Sequence, residues 1–307
     1  MSRPPRLTAR DFDPEVLELF DRYVHGLIDR RGFLAGAARF AVGSAGAAGL
    51  LAALTPQFAA AQQVRPDDAR LKTSYVEYPS PDGYGKARGY LVRPAKGHKP
   101  LPVVLVIHEN RGLNPHIEDI ARRLGLAGYI AFAPDALFPL GGYPGDEDAA
   151  RTRFQTLDQA KTRQDMLAAA RMLRTLDGGN GRLGAVGFCW GGGMTNFVAT
   201  QMPDLLAAAP FYGAAPPAED VAKIRAEMLI VFADNDDRIN AGWPAYETAL
   251  NAAGTHYTMF RPPGTQHGFN NDTTPRYDEH AAHDAWTRLL ALFERTLRHA
   301  RHGDTHA

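Results

Sequence analysis

The chain has 307 residues, of which 45% are hydrophobic and 22% charged, and its 34 Lys and Arg residues balance its 34 Asp and Glu residues. This composition is typical of a globular protein that is long enough to bury a large core. The balanced charge argues against nucleic acid and against an anionic membrane surface as partners. Cys189 is the single cysteine, which excludes an intramolecular disulfide bond.

The N-terminal stretch has the pattern of an export signal. A polar leader, in which residues 13–27 are predicted to form a short amphipathic helix, precedes Arg-Arg-Gly-Phe-Leu at 30–34 and an Ala- and Gly-rich apolar run to Leu54. Paired arginines before such a run resemble a twin-arginine export signal, and the small residues that follow predict cleavage after Ala61. The export machinery is therefore an expected partner, and the expected location is the periplasm.

This pattern divides the chain into a signal segment, residues 1–61, and a mature domain, residues 62–307. A membrane anchor is the alternative interpretation of the apolar run. The run carries Arg39 and many small residues, so it would insert poorly, and no stable membrane span is expected in the mature protein.

Strands and helices alternate through the mature domain. Strands are predicted, in chain order, over residues 74–78, 87–92, 101–107, 129–133, 183–186, 206–212, 228–232 and 257–260. Helices are predicted directly after the fifth strand and over residues 117–126, 146–176, 243–253 and 279–297. The first two strands are expected to be antiparallel, and the continuous apolar run at 101–107 indicates a strand buried on both faces. The alternation favours one α/β domain with a mostly parallel, doubly wound sheet flanked by helices.

The fifth strand is followed by Gly-Phe-Cys-Trp-Gly at 187–191 and then by a helix. A G-x-C-x-G sequence in this setting has the form of a nucleophile elbow with cysteine in place of serine. The glycines permit a turn too tight for side chains at the flanks, and Cys189 is expected in a strained backbone conformation. Its thiol would lie at a helix N-terminus, which favours a thiolate. The alternative for this motif alone is a thiol that only fills the core.

Two later strand ends supply the other groups of a nucleophilic site. Asp234, Asp236 and Asp237 follow the seventh strand, and His267 follows the eighth. Nucleophile, acid and histidine thus occur in the chain order of α/β-hydrolases, at the strand ends where such sheets build their sites. We choose Asp236 as the acid, while Asp234 and Asp237 remain open and a surface position remains the alternative for His267.

Three segments together resemble the dienelactone hydrolase (carboxymethylenebutenolidase) family of α/β-hydrolases. They are His-Glu-Asn-Arg-Gly-Leu at 108–113, Gly-Phe-Cys-Trp-Gly-Gly at 187–192 and Gly-Thr-Gln-His-Gly-Phe at 264–269. The resemblance covers roughly residues 72–298. It implies the α/β-hydrolase fold and a triad of Cys189, His267 and Asp236. It also implies that Glu109 is a catalytic residue that lies near the thiol and helps to hold or generate its reactive form. A carboxylate beside a thiolate is unfavourable, so it would keep the resting thiol neutral.

Hydrolysis of an ester passes through an oxyanion, which needs two N–H donors. The backbone N–H groups of Trp190, directly after the nucleophile, and of Asn110, in the loop after the third strand, are the expected pair. The resemblance also implies arginines that bind the carboxylate of dienelactone. This chain has Asn271 where one of them is expected, which leaves Arg111 and Arg276 as candidates for an anion site or for surface charges.

The sequence therefore predicts an exported hydrolase in which Cys189 attacks the carbonyl carbon of a small-molecule ester or lactone. No organic cofactor and no metal is expected, and the acidic and histidine side chains at 279–284 are interpreted as a solvated helix face. Two alternatives stay open. One is an acyltransferase or a peptidase on the same fold, and the other is a catalytically silent binding protein.

Overall fold

An eight-stranded sheet forms the centre of the molecule. The computed structural model describes residues 6–41, 46–97 and 99–298. The strands are β1 Leu71–Ser80, β2 Gly85–Pro94, β3 Leu101–Ile107, β4 Ile130–Pro134, β5 Gly179–Phe188, β6 Ala207–Phe211, β7 Glu227–Val231 and β8 Tyr257–Phe260. Their order across the sheet is β1-β2-β4-β3-β5-β6-β7-β8. The pairs β1–β2 and β2–β4 are antiparallel, and the other neighbours are parallel, so the predicted mostly parallel sheet is confirmed.

Helices precede the sheet and cover both of its faces. The first four are α1 Pro14–Val24, α2 Arg30–Ala37, α3 Gly46–Leu54 and α4 Phe58–Ala61. The others are α5 Pro115–Leu126, α6 Glu147–Gln155, α7 Gln159–Arg174, α8 Trp190–Gln201, α9 Ala218–Val221, α10 Asp237–Asn240, α11 Trp243–Ala253 and α12 Glu279–Phe293. The helical stretch predicted over 146–176, in which a break was left open, is thus two helices, and α12 is followed by a π-helical turn at Glu294–Arg298. None of the helices in the described part of the chain has the length and apolarity needed to cross a bilayer.

Strand β3 shows why the sheet lies in the middle of the molecule. Val103, Leu105 and Ile107 belong to one hydrophobic core, which the helices α7 and α8 complete. Val104 and Val106 belong to a second core, on the α5 and α12 side. Because alternate side chains of a strand face opposite sides of a sheet, a continuous apolar run marks a strand covered on both faces. The predicted burial of β3 is therefore confirmed.

The described residues 6–41 and 46–61, which we call the N-terminal segment, are packed helices. The predicted amphipathic helix is α1, whose N-cap Asp13 accepts a hydrogen bond from the Glu15 N–H. Helices α1 to α3 bury a separate apolar cluster made of Val16, Leu17, Phe20, Tyr23, Phe33, Ala37, Leu51 and Leu54. Residues 1–5 and 42–45 of the predicted signal, and residues 98 and 299–307 of the predicted domain, lie outside the described residues. The division at residue 61 stays a prediction.

Candidate active site

The turn between β5 and α8 has the geometry of a nucleophile elbow. Cys189 has φ 56° and ψ −114°, a backbone conformation that costs a residue other than glycine about 1–3 kcal/mol. A Cβ on Gly187 would lie 2.1 Å from the Gly191 carbonyl oxygen, and a Cβ on Gly191 would lie 2.4 Å from the Ile107 carbonyl oxygen. Both flanks therefore accept only glycine, as predicted, and the thiol is held at the N-terminal end of α8.

His267 lies beside this thiol and is held by Asp236. Its Nδ1 is 2.5 Å from Oδ2 of Asp236, and the two side chains are only 5% and 2% exposed. The carboxylate accepts the Nδ1–H, which leaves Nε2 available for the thiol. Nε2 has no hydrogen-bond partner among the described residues, and a ring nitrogen of His267 lies within 4.8 Å of the Cys189 sulfur.

The structure separates the three candidate aspartates. Asp234 accepts hydrogen bonds from the Gly264 N–H and from Nε of Arg261, both at 2.9 Å. Asp237 is exposed in the first turn of α10. Asp236 is buried and contacts His267. Of the three, Asp236 is therefore the one that can orient the imidazole.

The Cys189 thiol and the His267 imidazole stabilise each other's charge. Burial opposes both charges, but the attraction to His267 and the hydrogen bond with His25 lower the pKa of Cys189 to about 6. Burial is likewise outweighed at His267, where the thiolate and Asp236 raise the pKa to about 10. Both shifts favour a thiolate paired with an imidazolium. The expected role of Glu109 beside the thiol stays a prediction.

Glu109 lies in the loop after β3 and lines the same cavity as Cys189. Its Oε2 accepts a hydrogen bond from Nδ2 of Asn271 at 3.1 Å. Asn271 occupies the position where the family resemblance implied an arginine. A neutral amide bound to Glu109 offers no positive charge to a substrate, so this position differs from the implied carboxylate site.

Asn110 and Trp190, the predicted oxyanion donors, both line a cavity beside Cys189. The His108 ring stacks on Trp190, with ring centroids 5.4 Å apart and an interplanar angle of 16°. Burial lowers the pKa of His108 to about 4, so the ring is neutral, and its Nε2 accepts the Ala136 N–H at 3.1 Å. This stacking holds the loop that carries Asn110 against the first residue of α8.

His25 is a site residue that the sequence pattern did not reveal. It follows α1, and its Nε2 lies 3.5 Å from the Cys189 sulfur. Its ring centroid is 4.7 Å from that of His267. Asp21 and His25 stand four residues apart at the end of an amphipathic helix, which is a usable signal for a paired histidine. That signal lay in a stretch interpreted as an export sequence.

Comparison with known proteins agrees with the fold. The sequence profile of the "Dienelactone hydrolase family" matches residues 87–297, which is more than half of the chain. The chain belongs to the dienelactone hydrolase family. A second profile, described as "YqhI-like", matches residues 4–42, so the N-terminal segment has a recognisable sequence of its own.

Similar proteins cover between a third and three quarters of the chain. An Escherichia coli K12 protein named "Putative carboxymethylenebutenolidase" is 32% identical over 244 residues, which span 75% of this chain and 89% of that protein. The "Putative hydrolase fragment YghX" of the same organism is 54% identical over 105 residues, 34% of this chain and 90% of that protein. The crystal structure of a "Putative Dienelactone Hydrolase" from Klebsiella pneumoniae has a TM-score of 0.64 at 30% identity. It covers 73% of this chain and 99% of its own.

In this member of the dienelactone hydrolase family, Arg111 and Arg276 are buried and are not surface charges. They are 5% and 7% exposed. Nη2 of Arg111 donates to the Val24 carbonyl oxygen at 3.0 Å, and Nη1 of Arg276 lies 3.4 Å from Oδ1 of Asp21. Both positive charges are therefore already engaged by the N-terminal segment.

Two cavities of the dienelactone hydrolase fold meet at the nucleophile. One has a volume of about 260 Å³ and lies under the end of α1. The other has a volume of about 570 Å³ and opens on the side of Trp190. Cys189 and His267 line both cavities. Apolar side chains in the wall of the larger one are Phe154, Trp190, Met194, Phe197, Pro216, Pro217 and Ile239.

The donor atoms of His25, Cys189 and His267, all within 4.8 Å of one another, could also hold a metal ion. A thiolate and two imidazoles form a ligand set that suits Zn²⁺. However, Nη2 of Arg238 lies 3.0 Å from Nε2 of His25, so this guanidinium has to turn away before a metal ion or a proton can occupy that nitrogen.

Proposed function

We propose that this protein hydrolyses carboxylic esters or lactones through a thioester on Cys189, with His267 and Asp236 as the other members of a triad. The observation that carries the proposal is a strained cysteine at an elbow whose thiol lies beside an imidazole that a buried carboxylate holds. Membership of the dienelactone hydrolase family supports a hydrolase. The choice of esters and lactones rests on the likeness to proteins named dienelactone hydrolase and carboxymethylenebutenolidase.

In the acylation step the Cys189 thiolate attacks the carbonyl carbon, and a C–S bond forms as the carbonyl oxygen takes up the negative charge. The backbone N–H groups of Asn110 and Trp190 are proposed to stabilise that oxyanion. When the tetrahedral intermediate collapses, the C–O bond to the alcohol breaks. The His267 imidazolium gives its Nε2 proton to the leaving oxygen, and Asp236 keeps the ring oriented.

In the deacylation step a water molecule attacks the thioester carbon. Neutral His267 takes a proton from that water, the C–S bond breaks, and its electron pair returns to the Cys189 sulfur as the thiolate. The imidazolium and the thiolate are thereby restored. We propose that the acyl part and the alcohol part of the substrate occupy the two cavities that meet at Cys189, and that the larger, apolar-walled one takes the bulkier part.

The test is hydrolysis of an aryl ester and of dienelactone by the full chain, beside Cys189→Ala and Cys189→Ser. The proposal expects turnover by the parent, loss of at least about 10³-fold in Cys189→Ala, and a thioester adduct on Cys189 in the parent by mass spectrometry. Equal activity of parent and Cys189→Ala, or an adduct on another residue, would reject it.

An acyltransferase or a peptidase is the second candidate, since both use the same elbow and triad. Products formed with a competing amine or alcohol separate these reactions. A parent that partitions the acyl group mainly to water supports the hydrolase. Acyl transfer to the added nucleophile in preference to water, or cleavage of a peptide with no ester turnover, would replace it. If the alkylation rate of Cys189 follows the pKa of an ordinary thiol, the result would favour a catalytically silent binding protein.

Export by the twin-arginine route is proposed on the sequence motif alone. In the structure, Arg30 of that motif lies 3.5 Å from Asp148 and remains 58% exposed, whereas Phe33 is fully buried. A receptor that reads the motif must therefore meet it before the segment docks, or detach it. Fractionation of cells that express the full chain, with Arg30→Lys and Arg31→Lys together as the control, tests the proposal. Export that the double variant does not impair would reject it.

A further inference from the structure

The hydrolase domain satisfies the C-terminal carbonyls of α1. Nη2 of Arg111 and Nδ2 of Asn110 donate to the Val24 carbonyl oxygen at 3.0 Å and 3.1 Å, and Nη1 of Arg151 donates to that of Tyr23. The last carbonyls of a helix lack intrahelical partners and carry its negative dipole end, which cations stabilise. These contacts fix the position of the next residue in the chain, His25.

The side chains around α1 add a second set of contacts. The Tyr23 hydroxyl donates to Asp148, and the guanidinium of Arg151 lies over the Tyr23 ring at 4.3 Å from its centroid. Arg276 pairs with Asp21 and lies over the Phe20 ring at 5.1 Å. Buried charges and a helix terminus are thus matched across the contact, which indicates a built interface rather than a loosely attached leader.

The charged and titratable groups near His25 come from its own helix and from three other parts of the described chain. Asp21 of α1 lies at Nδ1, with the backbone oxygen at 2.8 Å and Oδ2 at 3.3 Å. Arg238 of α10 lies at Nε2 at 3.0 Å, and the Cys189 sulfur lies at the same nitrogen at 3.5 Å. His267, with Asp236 behind it, faces the ring edge-on. Farther groups are Arg276 on Asp21 and Glu109 in the adjoining cavity.

We infer that His25 is a fourth catalytic residue, which the N-terminal segment supplies and which donates its Nε2–H to the Cys189 thiolate. This inference rests on the proposed function, because it assigns a role in the same site. The Asp21 carboxylate balances the charge of the His25 imidazolium. The hydrolase domain without residues 6–61 would therefore have an incomplete centre.

In the thiolate–imidazolium pair the proton of the Cys189 thiol is on Nε2 of His267, so the Nε2 proton of His25 comes from solvent. An O–H bond of a hydronium ion breaks, its electron pair stays on the oxygen, and an Nε2–H bond forms on His25. Arg238 can only donate hydrogen bonds, so it donates to Nε2 when His25 is neutral. When His25 is protonated, Arg238 is proposed to turn toward the larger cavity, which it lines. The same N–H then stabilises the thiolate when it leaves the thioester during deacylation.

The experiment measures the rate of iodoacetamide alkylation of Cys189 against pH in the full-length parent, in His25→Gln and in His256→Gln. His256 is 86% exposed and serves as the matched control. The inference expects the inflection of His25→Gln to lie about one pH unit or more above that of the parent, as for the loss of one charge-assisted hydrogen bond. Hydrolysis of the aryl ester by His25→Gln should fall about tenfold at pH 7 and recover near pH 9. His256→Gln should match the parent.

Limited proteolysis of residues 6–61 shows in each variant whether the segment remains docked. A docked His25→Gln with an unmoved inflection overturns the inference. Higher ester hydrolysis by His25→Gln at every pH also overturns it, because the segment would then obstruct the site. If the N-terminal segment undocks in His25→Gln, the Asp21→Asn variant provides the test, because it keeps the imidazole ring but removes the negative charge beside it. The inflection of the alkylation rate should then lie at a higher pH than in the parent, and an unmoved inflection overturns the inference.

The alkylation assay needs no ester turnover, so the two proposals can fail separately. If the inflection of His25→Gln lies above that of the parent but the parent hydrolyses no ester, His25 remains a partner of the thiol and the proposed reaction is rejected. Ester turnover through Cys189 with an unmoved inflection keeps the reaction and rejects the role of His25.

Discussion

Asn271 donates a hydrogen bond from Nδ2 to Oε2 of Glu109 at 3.1 Å. The two residues belong to different loops, one after β8 and one after β3, and the first of these loops also carries His267. The bond therefore ties the loop of the proposed base to the loop of the proposed oxyanion donor Asn110. It also places a neutral side chain at the position where the family resemblance implied an arginine.

Asn271→Arg should improve the binding of substrates that carry a carboxylate. The new guanidinium would lie beside Glu109 and near the nucleophile, where one charge-assisted hydrogen bond lowers KM for dienelactone by about tenfold. Asn271→Leu is the control, because it removes the hydrogen bond to Glu109 without adding a positive charge. Steady-state kinetics on dienelactone and on a neutral aryl ester checks this, and an equal change in KM for both substrates would contradict it.

The pH profile of kcat/KM should rise through about pH 6 and fall through about pH 10. The pKa of Cys189 is lowered to about 6, so the thiolate forms as the pH rises past that value. The pKa of His267 is raised to about 10, so the imidazolium that protonates the leaving group is lost above it. The apparent values belong to the coupled pair. A rate that begins to rise only near pH 9 would show an unperturbed thiol.

Asp236→Asn should lower kcat by about 10²- to 10⁴-fold with little change in folding, because the amide favours the wrong tautomer of His267. Asp234→Asn is the matched control from the same loop, since Asp234 bonds Gly264 and Arg261 instead. Its kcat should stay within about twofold of the parent value. Kinetics with circular dichroism on both variants checks the expectation, and equal losses in the two would point to the loop rather than to the triad.

Gly191→Ala and Gly193→Ala should have opposite effects on the free energy of unfolding. A Cβ on Gly191 would lie 2.4 Å from the Ile107 oxygen, whereas one on Gly193 finds its nearest neighbour at 3.5 Å. The first substitution should destabilise by about 3 kcal/mol or more. The second should stabilise α8 by about 0.5–1 kcal/mol, the helix preference of alanine over glycine. Urea denaturation measures both, and a tolerated Gly191→Ala would refute the tight elbow.

The active protein should retain residues 6–61 wherever it is located. If His25 belongs to the centre, cleavage after Ala61 would remove it together with α1. Intact-mass measurement and N-terminal sequencing of the protein recovered from the periplasm and from the cytoplasm check this expectation. A fully active form that begins at Gln62 would contradict it.

Much of the sheet could be predicted from the sequence because its strands carry dense local signals. The bounds of β3 and β8 match the predicted runs, and the elbow follows from two glycines whose side-chain positions are filled by backbone. Asp236 and His267 follow from the rule that the ends of parallel strands meet at one edge of a sheet. The break between α6 and α7 was not located, since apolar periodicity continues across it.

His25 could not be predicted in this way, because its role depends on docking between distant parts of the chain. Cys189 lies 164 positions away from it. The arginine pair at 30–31 and the apolar run after it gave a sufficient local explanation of the segment, and periodicity carries no information about what an amphipathic face will cover. Arg276, which the sequence left open, pairs with Asp21 through that docking. Arg111 donates to Val24 across the same contact and also lies 3.6 Å from Glu147 of the hydrolase domain.

The contact between Asp21 and Arg276 joins residues 255 positions apart, and this separation orders events during synthesis. The N-terminal helices emerge from the ribosome first, but their docking surface on the loop after β8 is made almost last. At about 5–20 residues per second, the interval is roughly 10 to 50 s. Helices α1 to α3 can meanwhile gather around their own apolar cluster. A nascent or truncated chain therefore has no completed reactive thiol centre, and the nucleophile becomes fully assembled only when translation is nearly finished.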